Sequence, residues 1–240
     1  MLSTIMDGWI DYYDSAHSIY VNARHRDVHF RRLAEDFSQY VRPGAAVLDY
    51  GCGEALYADI VAEKADRLIL IEPAPGVRAR LSARFGENAK IEASGPERLA
   101  ALPDHSIDLV IMHSVSQYLT PKELDATLAR LRPLLRPDGL FVLGDVIPLS
   151  TSALHDATAL LRFGAREGFF FATISGLART TLSSYRQLRS SLGLTRYDET
   201  ALIDKLAAAG FTARRAGHNI GHNPSRMTFL ALPAGSAAWN

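Results

Sequence analysis

The pattern with the clearest chemical meaning is an acidic residue followed by a glycine-rich turn near residue 50. The segment VLDYGCGEA ends a short apolar run at Asp49 and continues through Gly51, Cys52 and Gly53. Glycine lets the backbone approach a ligand where a Cβ would clash. A helix that starts after such a turn offers free N–H groups and partial positive charge. The segment therefore predicts a ligand-binding turn at the carboxyl end of a strand.

A second acidic residue, Glu72, ends the next apolar run and precedes Pro73. A carboxylate at this place can accept hydrogen bonds from both ribose hydroxyls, and it repels a 2′-phosphate. A dinucleotide site would need a third glycine where Leu56 stands, which disfavours a pyrophosphate. Asp49 would also repel a phosphate, whereas it suits an ammonium or a sulfonium group. The pattern favours an adenosine ligand without phosphate, and an NAD-type cofactor is the weaker alternative.

A parallel sheet is needed to bring these acidic residues together. Short apolar runs begin at Ala45, Leu68, Lys90, Ile107 and Leu140, with helical patterns between them. Near-continuous apolar strands that alternate with helices are typical of a parallel sheet covered on both faces. The sequence therefore predicts an α/β fold with the glycine-rich turn at one edge of the sheet.

Helical segments and a hairpin complete the predicted architecture of a single domain that spans the whole chain. Residues 1–42 are expected to form an N-terminal helical cap, with one helix from about Trp9 to Tyr40. Residues 150–194 show no clear strand and predict a helical insertion. Two apolar runs, about Phe211–Ile220 and Arg226–Leu232, flank turn residues and indicate a closing antiparallel hairpin.

Composition excludes several classes of protein. The chain of 240 residues carries 26 basic and 26 acidic residues, and no basic stripe points to nucleic acid. The single cysteine cannot form an internal disulfide. No apolar run approaches the ~20 residues that span a bilayer, and the first residues lack the pattern of a signal peptide. We therefore expect a cytoplasmic protein without a metal site, a membrane span or a nucleic-acid partner.

The glycine-rich segment resembles the first motif of class I S-adenosylmethionine-dependent methyltransferases, commonly written D-x-G-x-G-x-G. Glu72 is similar to the family's ribose-binding acid, and three later segments resemble its motifs in the same order. These segments are Ile107–Ser114, Leu135–Leu140 and Ala208–Phe211. The resemblance implies a Rossmann-like, seven-stranded, mostly parallel sheet and S-adenosyl-L-methionine as the cofactor.

The resemblance also assigns residues to the cofactor, with two departures from the family pattern. Ala55 stands where the family often has a third glycine. The family's adenine-binding aspartate has no counterpart, so Ser94, the local backbone and Glu97 are the candidates to replace it. The expected cofactor-binding residues are Asp49, Gly51, Cys52, Gly53, Glu72, Pro73, Ser94, His113 and Ser114.

The acceptor side is less defined by sequence. The resemblance implies in-line transfer of a methyl group to a nucleophile whose atom, oxygen, nitrogen or carbon, stays open. His17 in the N-terminal segment is the candidate base, and four of the other histidines are expected at the surface or in structural roles. These are His25, His29, His218 and His222. The residues assigned to the acceptor are Tyr13, Tyr20, Tyr118 and Phe170.

Several alternatives stay open at this point. The phenylalanines of the insertion could line an acceptor cavity, pack in the core or form a homodimer contact, and packing is favoured. Methyl transfer to a small-molecule acceptor is the preferred function. The alternatives are a non-catalytic S-adenosylmethionine-binding protein and an NAD-dependent oxidoreductase.

Overall fold

The structure, a computed structural model, describes residues 4–15, 19–180 and 193–237. Within these ranges the helices are α1 (Thr4–Asp14), α2 (Ala23–Ser38), α3 (Ala58–Lys64), α4 (Pro75–Phe85), α5 (Pro121–Leu131), α6 (Ala153–Glu167), α7 (Phe170–Thr180) and α8 (Glu199–Ala208). The strands are β1 (Ala45–Tyr50), β2 (Ala65–Ile71), β3 (Ile91–Ser94), β4 (Ile107–His113), β5 (Leu135–Val146), β6 (Phe211–Arg215) and β7 (Met227–Pro233). None of the helices in these ranges is long and apolar enough to cross a bilayer.

The seven strands form one sheet in the order β3-β2-β1-β4-β5-β7-β6. Strands β1 to β5 run parallel, and β7 runs antiparallel to both of its neighbours. The predicted Rossmann-like sheet with a closing antiparallel pair is confirmed. The strand order reverses between β1 and β4, and ligands of open α/β sheets bind at the carboxyl ends of strands at such a point.

Two apolar layers hold the sheet between helices. Successive residues of a strand point to opposite faces, so Leu48 packs in one layer and Val47 in the other. Both side chains are fully buried, as are Val110 and Ile111 on the neighbouring strand. The two apolar layers therefore hold the carboxyl ends of the central strands in place, and this fixes the positions of the polar residues that follow them.

The predicted continuous N-terminal helix is wrong, because the segment forms two helices. Asn22 ends the break between them, and its side chain accepts the backbone N–H of His25 at 2.8 Å, which caps the start of α2. In α1, Trp9 is buried, and Asp14 accepts the backbone N–H of Gly76 at 2.6 Å at the start of α4. The first helix is thereby held over the carboxyl edge of the sheet.

The connection between β6 and β7 is longer than predicted, because β6 ends at Arg215 and β7 begins at Met227. Asn219 holds residues 216–226 against the sheet. Its Oδ1 accepts the backbone N–H of Asp145 at 3.2 Å and the hydroxyl of Thr228 at 2.8 Å. This connection therefore contributes side chains to the same edge as β4 and β5.

The region predicted as a helical insertion contains α6 and α7 in its described part and no strand there. Ser152 begins α6 by accepting the backbone N–H of His155 at 3.3 Å. Residues 181–192 of the expected insertion lie outside the described residues. The extent of the domain over the whole chain stays a prediction.

Candidate active site

A cavity of about 600 Å³ lies at the carboxyl ends of β1, β2, β4 and β5. The strand ends contribute the glycine-rich turn, Glu72, Ser114 and Asp145 to its wall. Helices α1 and α2 cover it from one side, and the connection 216–226 adds His222 and Arg226. A volume of this size is typical of sites that enclose small ligands and cofactors.

Glu72 and the glycine-rich turn are joined at the end of β2. The carboxylate of Glu72 accepts the backbone N–H groups of Gly53 and Ala74, each at 2.9 Å. These bonds hold the side chain in one orientation, and its burial raises the pKa of Glu72. A carboxylate has about four acceptor positions, so Glu72 keeps capacity for two ribose hydroxyls.

The turn itself requires glycine for steric reasons. Gly51 has φ +75°, and a Cβ there would lie 2.5 Å from Cγ2 of Val115. Gly53 has φ +58°, and no atom lies within 4 Å of the position where its Cβ would be. The backbone of Gly53 therefore borders open space on the cavity wall, where a ligand can approach closely.

Asp49 is a buried carboxylate without a protein partner. It is only 8% exposed, and no described residue makes a hydrogen bond to its side chain. Burial, together with the nearby charge of Glu72, raises the pKa of Asp49 to about 7. A buried charge without a partner is unfavourable, so a cationic group in the cavity would stabilise it. The ammonium of an amino-acid moiety fits this requirement.

The ends of β4 and β5 are linked through two residues in an unusual conformation. Ser114 and Asp145 have φ +57° and +58°. The hydroxyl of Ser114 donates to Oδ2 of Asp145 at 2.7 Å and lies 3.1 Å from Nδ1 of His113. Left-handed backbone at non-glycine residues costs of order 1–3 kcal/mol and clusters at functional sites. The pair places two polar side chains on the cavity wall.

A cluster of three histidines, His25, His29 and His222, lines the same cavity as the glycine-rich turn. The ring centroids of its members lie 6.0–6.2 Å apart. Burial lowers the pKa of His25 to about 4, and burial also lowers the pKa values of His29 and His222. All three imidazoles are therefore neutral near pH 7. The described residues contain no group of His, Cys, Asp and Glu that could hold a metal ion.

Sequence reasoning missed this cluster. The expectation that His25 and His29 lie on the helix surface is wrong, because both line the cavity and His25 is 5% exposed. The signal was present in the spacing. The two histidines stand four residues apart and continue the buried stripe of α2 through Leu33 and Phe37.

The structure brings most of the sequence-predicted residues to the cavity. Those on its wall are Asp49, Gly51, Cys52, Gly53, Glu72, Pro73, His113, Ser114, Tyr13, Tyr20 and Tyr118. Their individual roles stay predictions. Burial raises the pKa of the Cys52 thiol well above its usual value, so this group is a thiol and not a thiolate.

Two predicted residues do not line the cavity, and a third lies outside the described residues. Ser94 is not among the lining residues, because its hydroxyl donates to Glu92 at 3.1 Å and its carbonyl accepts the backbone N–H of Glu72. Phe170 lies on α7, is 39% exposed, and does not line the cavity either. His17, the candidate base, lies outside the described residues.

Side-chain contacts close the cavity around the glycine-rich turn. The hydroxyls of Tyr13 and Tyr118 lie 2.6 Å apart, and the ring centroids of Trp9 and Tyr118 are separated by 4.7 Å. On α2, Arg26 donates two hydrogen bonds to Glu54, at 2.5 and 2.6 Å. These contacts tie both N-terminal helices to loops that follow β1 and β4.

Comparisons with known proteins agree with this geometry. A family model described as a methyltransferase domain matches residues 48–143. The malonyl-[acyl-carrier protein] O-methyltransferase of Serratia marcescens is 29% identical over 214 residues, which cover 88% of this chain and 80% of that protein. The fold is similar to that of the DhpI–SAH complex, with a TM-score of 0.63 and 14% identity over 98% of this chain and 100% of the other.

A second solved structure also has a fold similar to that of this chain. The phosphoethanolamine N-methyltransferase 1 of Haemonchus contortus, in complex with phosphoethanolamine and S-adenosylhomocysteine, has a TM-score of 0.62 and 13% identity. The match covers 98% of this chain and 49% of that one. The glycine-rich turn, the acid at the end of β2 and these comparisons lead to one conclusion. Residues 48–143 match the methyltransferase-domain family, the chain as a whole is similar to class I S-adenosylmethionine-dependent methyltransferases, and the protein is an enzyme that uses S-adenosyl-L-methionine as its cofactor.

Proposed function

We propose that the protein transfers the methyl group of S-adenosylmethionine to a small-molecule acceptor. The observation that carries this proposal is the shape and lining of the cavity. One part of the cavity wall holds Glu72 and the glycine-rich turn, and another part holds the histidine cluster. A donor and an acceptor can therefore meet inside one cavity.

The residues in and around the glycine-rich turn suit the donor. Glu72 would accept the ribose hydroxyls, Asp49 would pair with the ammonium group, and the open backbone at Gly53 would allow close approach. The cofactor supplies an activated methyl group on a sulfonium, so the protein needs mainly to position the reactants and exclude water. Correct positioning alone can lower the barrier by several kcal/mol.

The covering helices support an acceptor of small size. Trp9 is 2% exposed, and α1 and α2 both contribute side chains to the cavity wall. An acceptor must pass these helices, which favours a compact molecule over a folded protein surface. We include a cytoplasmic location in this proposal. Pairing of two copies is a separate prediction that sedimentation of the full chain would measure.

A panel of acceptors tests the proposal. The full chain is incubated with methyl-labelled S-adenosylmethionine and small phenols, amines and carboxylates, and release of S-adenosylhomocysteine is measured. The relative from Serratia marcescens is named for a carrier-bound malonyl group, so malonyl-acyl carrier protein belongs in the panel. We expect transfer to at least one class of small molecule. Transfer to the protein-borne acceptor with none to small molecules would contradict the proposal.

A further inference from the structure

Two of the histidines on the cavity wall have ring nitrogens that no described residue engages. His25 accepts the backbone N–H of Val21 at 3.3 Å, and His113 lies within hydrogen-bond distance of Ser114. By contrast, no hydrogen bond within the described residues reaches the ring nitrogens of His29 or His222. Each neutral imidazole has one nitrogen that can accept a proton. His29 and His222 can therefore interact with a ligand directly.

His222 is held in place by its surroundings. Its ring stacks on Phe163 of α6, with centroids 4.6 Å apart and planes inclined by 14°. The preceding residue, Gly221, donates its backbone N–H to Asp36 of α2 at 2.9 Å. Asn219 ties the same connection to the end of β5. The imidazole is thus positioned from three sides, as a catalytic group requires.

The charges around His222 suit a group that is neutral at rest and gains a proton during a reaction. Burial is the main cause that lowers the pKa of His222, and Asp145 acts in the opposite direction. Because Asp145 carries a negative charge near the ring, it would stabilise the imidazolium once formed. The charged and titratable groups that face His222 are Asp145, Arg32, His113, Arg226, His25 and His29.

We propose that His222, with His29 beside it, takes the proton of the acceptor, and that the acceptor is a hydroxyl of phenol or enol type. This inference rests on the proposed function and names the substrate class of the same cavity. A carboxylate acceptor has no proton to lose at neutral pH and needs no base. A weakly basic imidazole removes a proton from an acidic hydroxyl more readily than from an alkyl alcohol. Aromatic side chains of Tyr20, Phe30 and Phe37 on the cavity wall suit a flat ring.

The proposed step balances in atoms and charge. The O–H bond of the acceptor breaks, and its proton passes to the free ring nitrogen of His222. An electron pair of the oxygen forms the new bond to the methyl carbon. The bond from methyl carbon to sulfur breaks, and its electrons stay on sulfur to give the neutral thioether. The positive charge thereby moves from sulfonium to imidazolium, and the proton later leaves to solvent.

The test compares His222→Gln and His29→Gln with His218→Gln as a matched control. His218 lies in the same connection, is exposed, and does not line the cavity. The acceptors are phenols of graded acidity, with 4-nitrophenol as the one already ionised in mildly alkaline buffer, plus an alkylamine and monomethyl malonate as a carboxylate. Rates are measured from released S-adenosylhomocysteine across a range of pH.

We expect His222→Gln to lower kcat for weakly acidic phenols by about 10²-fold or more, the usual contribution of a general base. The loss for 4-nitrophenol should be much smaller, and the acidic limb of the pH–rate profile should disappear. His29→Gln should give a smaller loss, and His218→Gln should match the parent protein. Unchanged calorimetric affinity of the His222→Gln variant for S-adenosylhomocysteine would show that the cavity still folds.

Two outcomes would overturn the inference. One is transfer to the amine or the carboxylate with none to any hydroxyl. The other is a His222→Gln variant whose rate falls equally for weakly acidic phenols and 4-nitrophenol. A parent protein that methylates no small molecule would instead remove the proposed function on which the inference rests, so the two failures are distinguishable.

Discussion

The affinity for S-adenosylhomocysteine should rise with pH because Asp49 must lose its proton to pair with the ligand's ammonium. The pKa of Asp49 in the ligand-free protein is about 7. Below this pH the carboxyl is neutral and offers no ionic partner, whereas above it the charge is present. One pH unit below the pKa, only about one molecule in ten carries the charged form. Affinity should therefore fall about tenfold, or ~1.4 kcal/mol, between about pH 8 and about pH 6.

Calorimetry measures this linkage in two independent ways. The dissociation constant is determined at several pH values, and titrations near pH 7 are repeated in phosphate and in Tris, whose ionisation enthalpies differ. Binding should release about half a proton near pH 7, since half of the Asp49 carboxyls are then protonated. His25 does not interfere, because its pKa of about 4 keeps it neutral over the whole range.

Two variants assign the effect to the correct carboxylate. Asp49→Asn should bind more weakly at high pH and show a flat pH profile. Asp59→Asn, at an exposed position on α3 outside the cavity wall, should behave like the parent protein. An affinity that stays constant across the range, or an Asp49→Asn variant with the parental slope, would refute the reasoning.

Three further predictions concern the glycine-rich turn and its acid. Glu72→Ala should weaken binding of S-adenosylhomocysteine by roughly tenfold or more in calorimetry, the scale of a lost charged hydrogen bond, and unchanged affinity would count against the ribose assignment. Gly51→Ala should lower the free energy of unfolding by about 1–3 kcal/mol through its positive φ and its contact with Val115. Combination with Val115→Ala should recover part of this loss in thermal unfolding, and no recovery would exclude the contact. Ala55→Gly should raise the melting temperature by about 2–4 °C, because alanine at φ +36° is strained, and an unchanged or lower value would contradict that strain.

The part of the cavity around the glycine-rich turn was predictable because local sequence encodes it. A buried strand, an acid and a glycine turn are contiguous, so Asp49, Gly51 and Gly53 could be placed at one turn without knowledge of the fold. Glu72 followed from the next strand, since parallel strands end at the same edge of the sheet. The antiparallel pair at the end of the chain was also predictable from two apolar runs and the turn residues between them.

The histidine cluster was not predictable because it forms between segments far apart in the chain. His29 lies on α2, whereas His222 lies in the connection between β6 and β7, and no local pattern indicates that they meet. The break before α2 was also missed, although Asn22 is a residue type that caps helices.

The unfavourable features of the described structure are concentrated around the cavity. Four non-glycine residues have positive φ, and three of them, Ala55, Ser114 and Asp145, line the cavity wall. The unpaired carboxylate of Asp49 lines the same cavity as these residues and the acid at the end of β2. Such strain and desolvation persist only where the surroundings hold them, and here the two apolar layers of the sheet do so. Substitutions that relieve the backbone strain or remove the unpaired carboxylate should therefore stabilise the fold and weaken binding of the donor. Such opposite effects on stability and binding are expected of a site that is adapted to its ligand at the expense of stability.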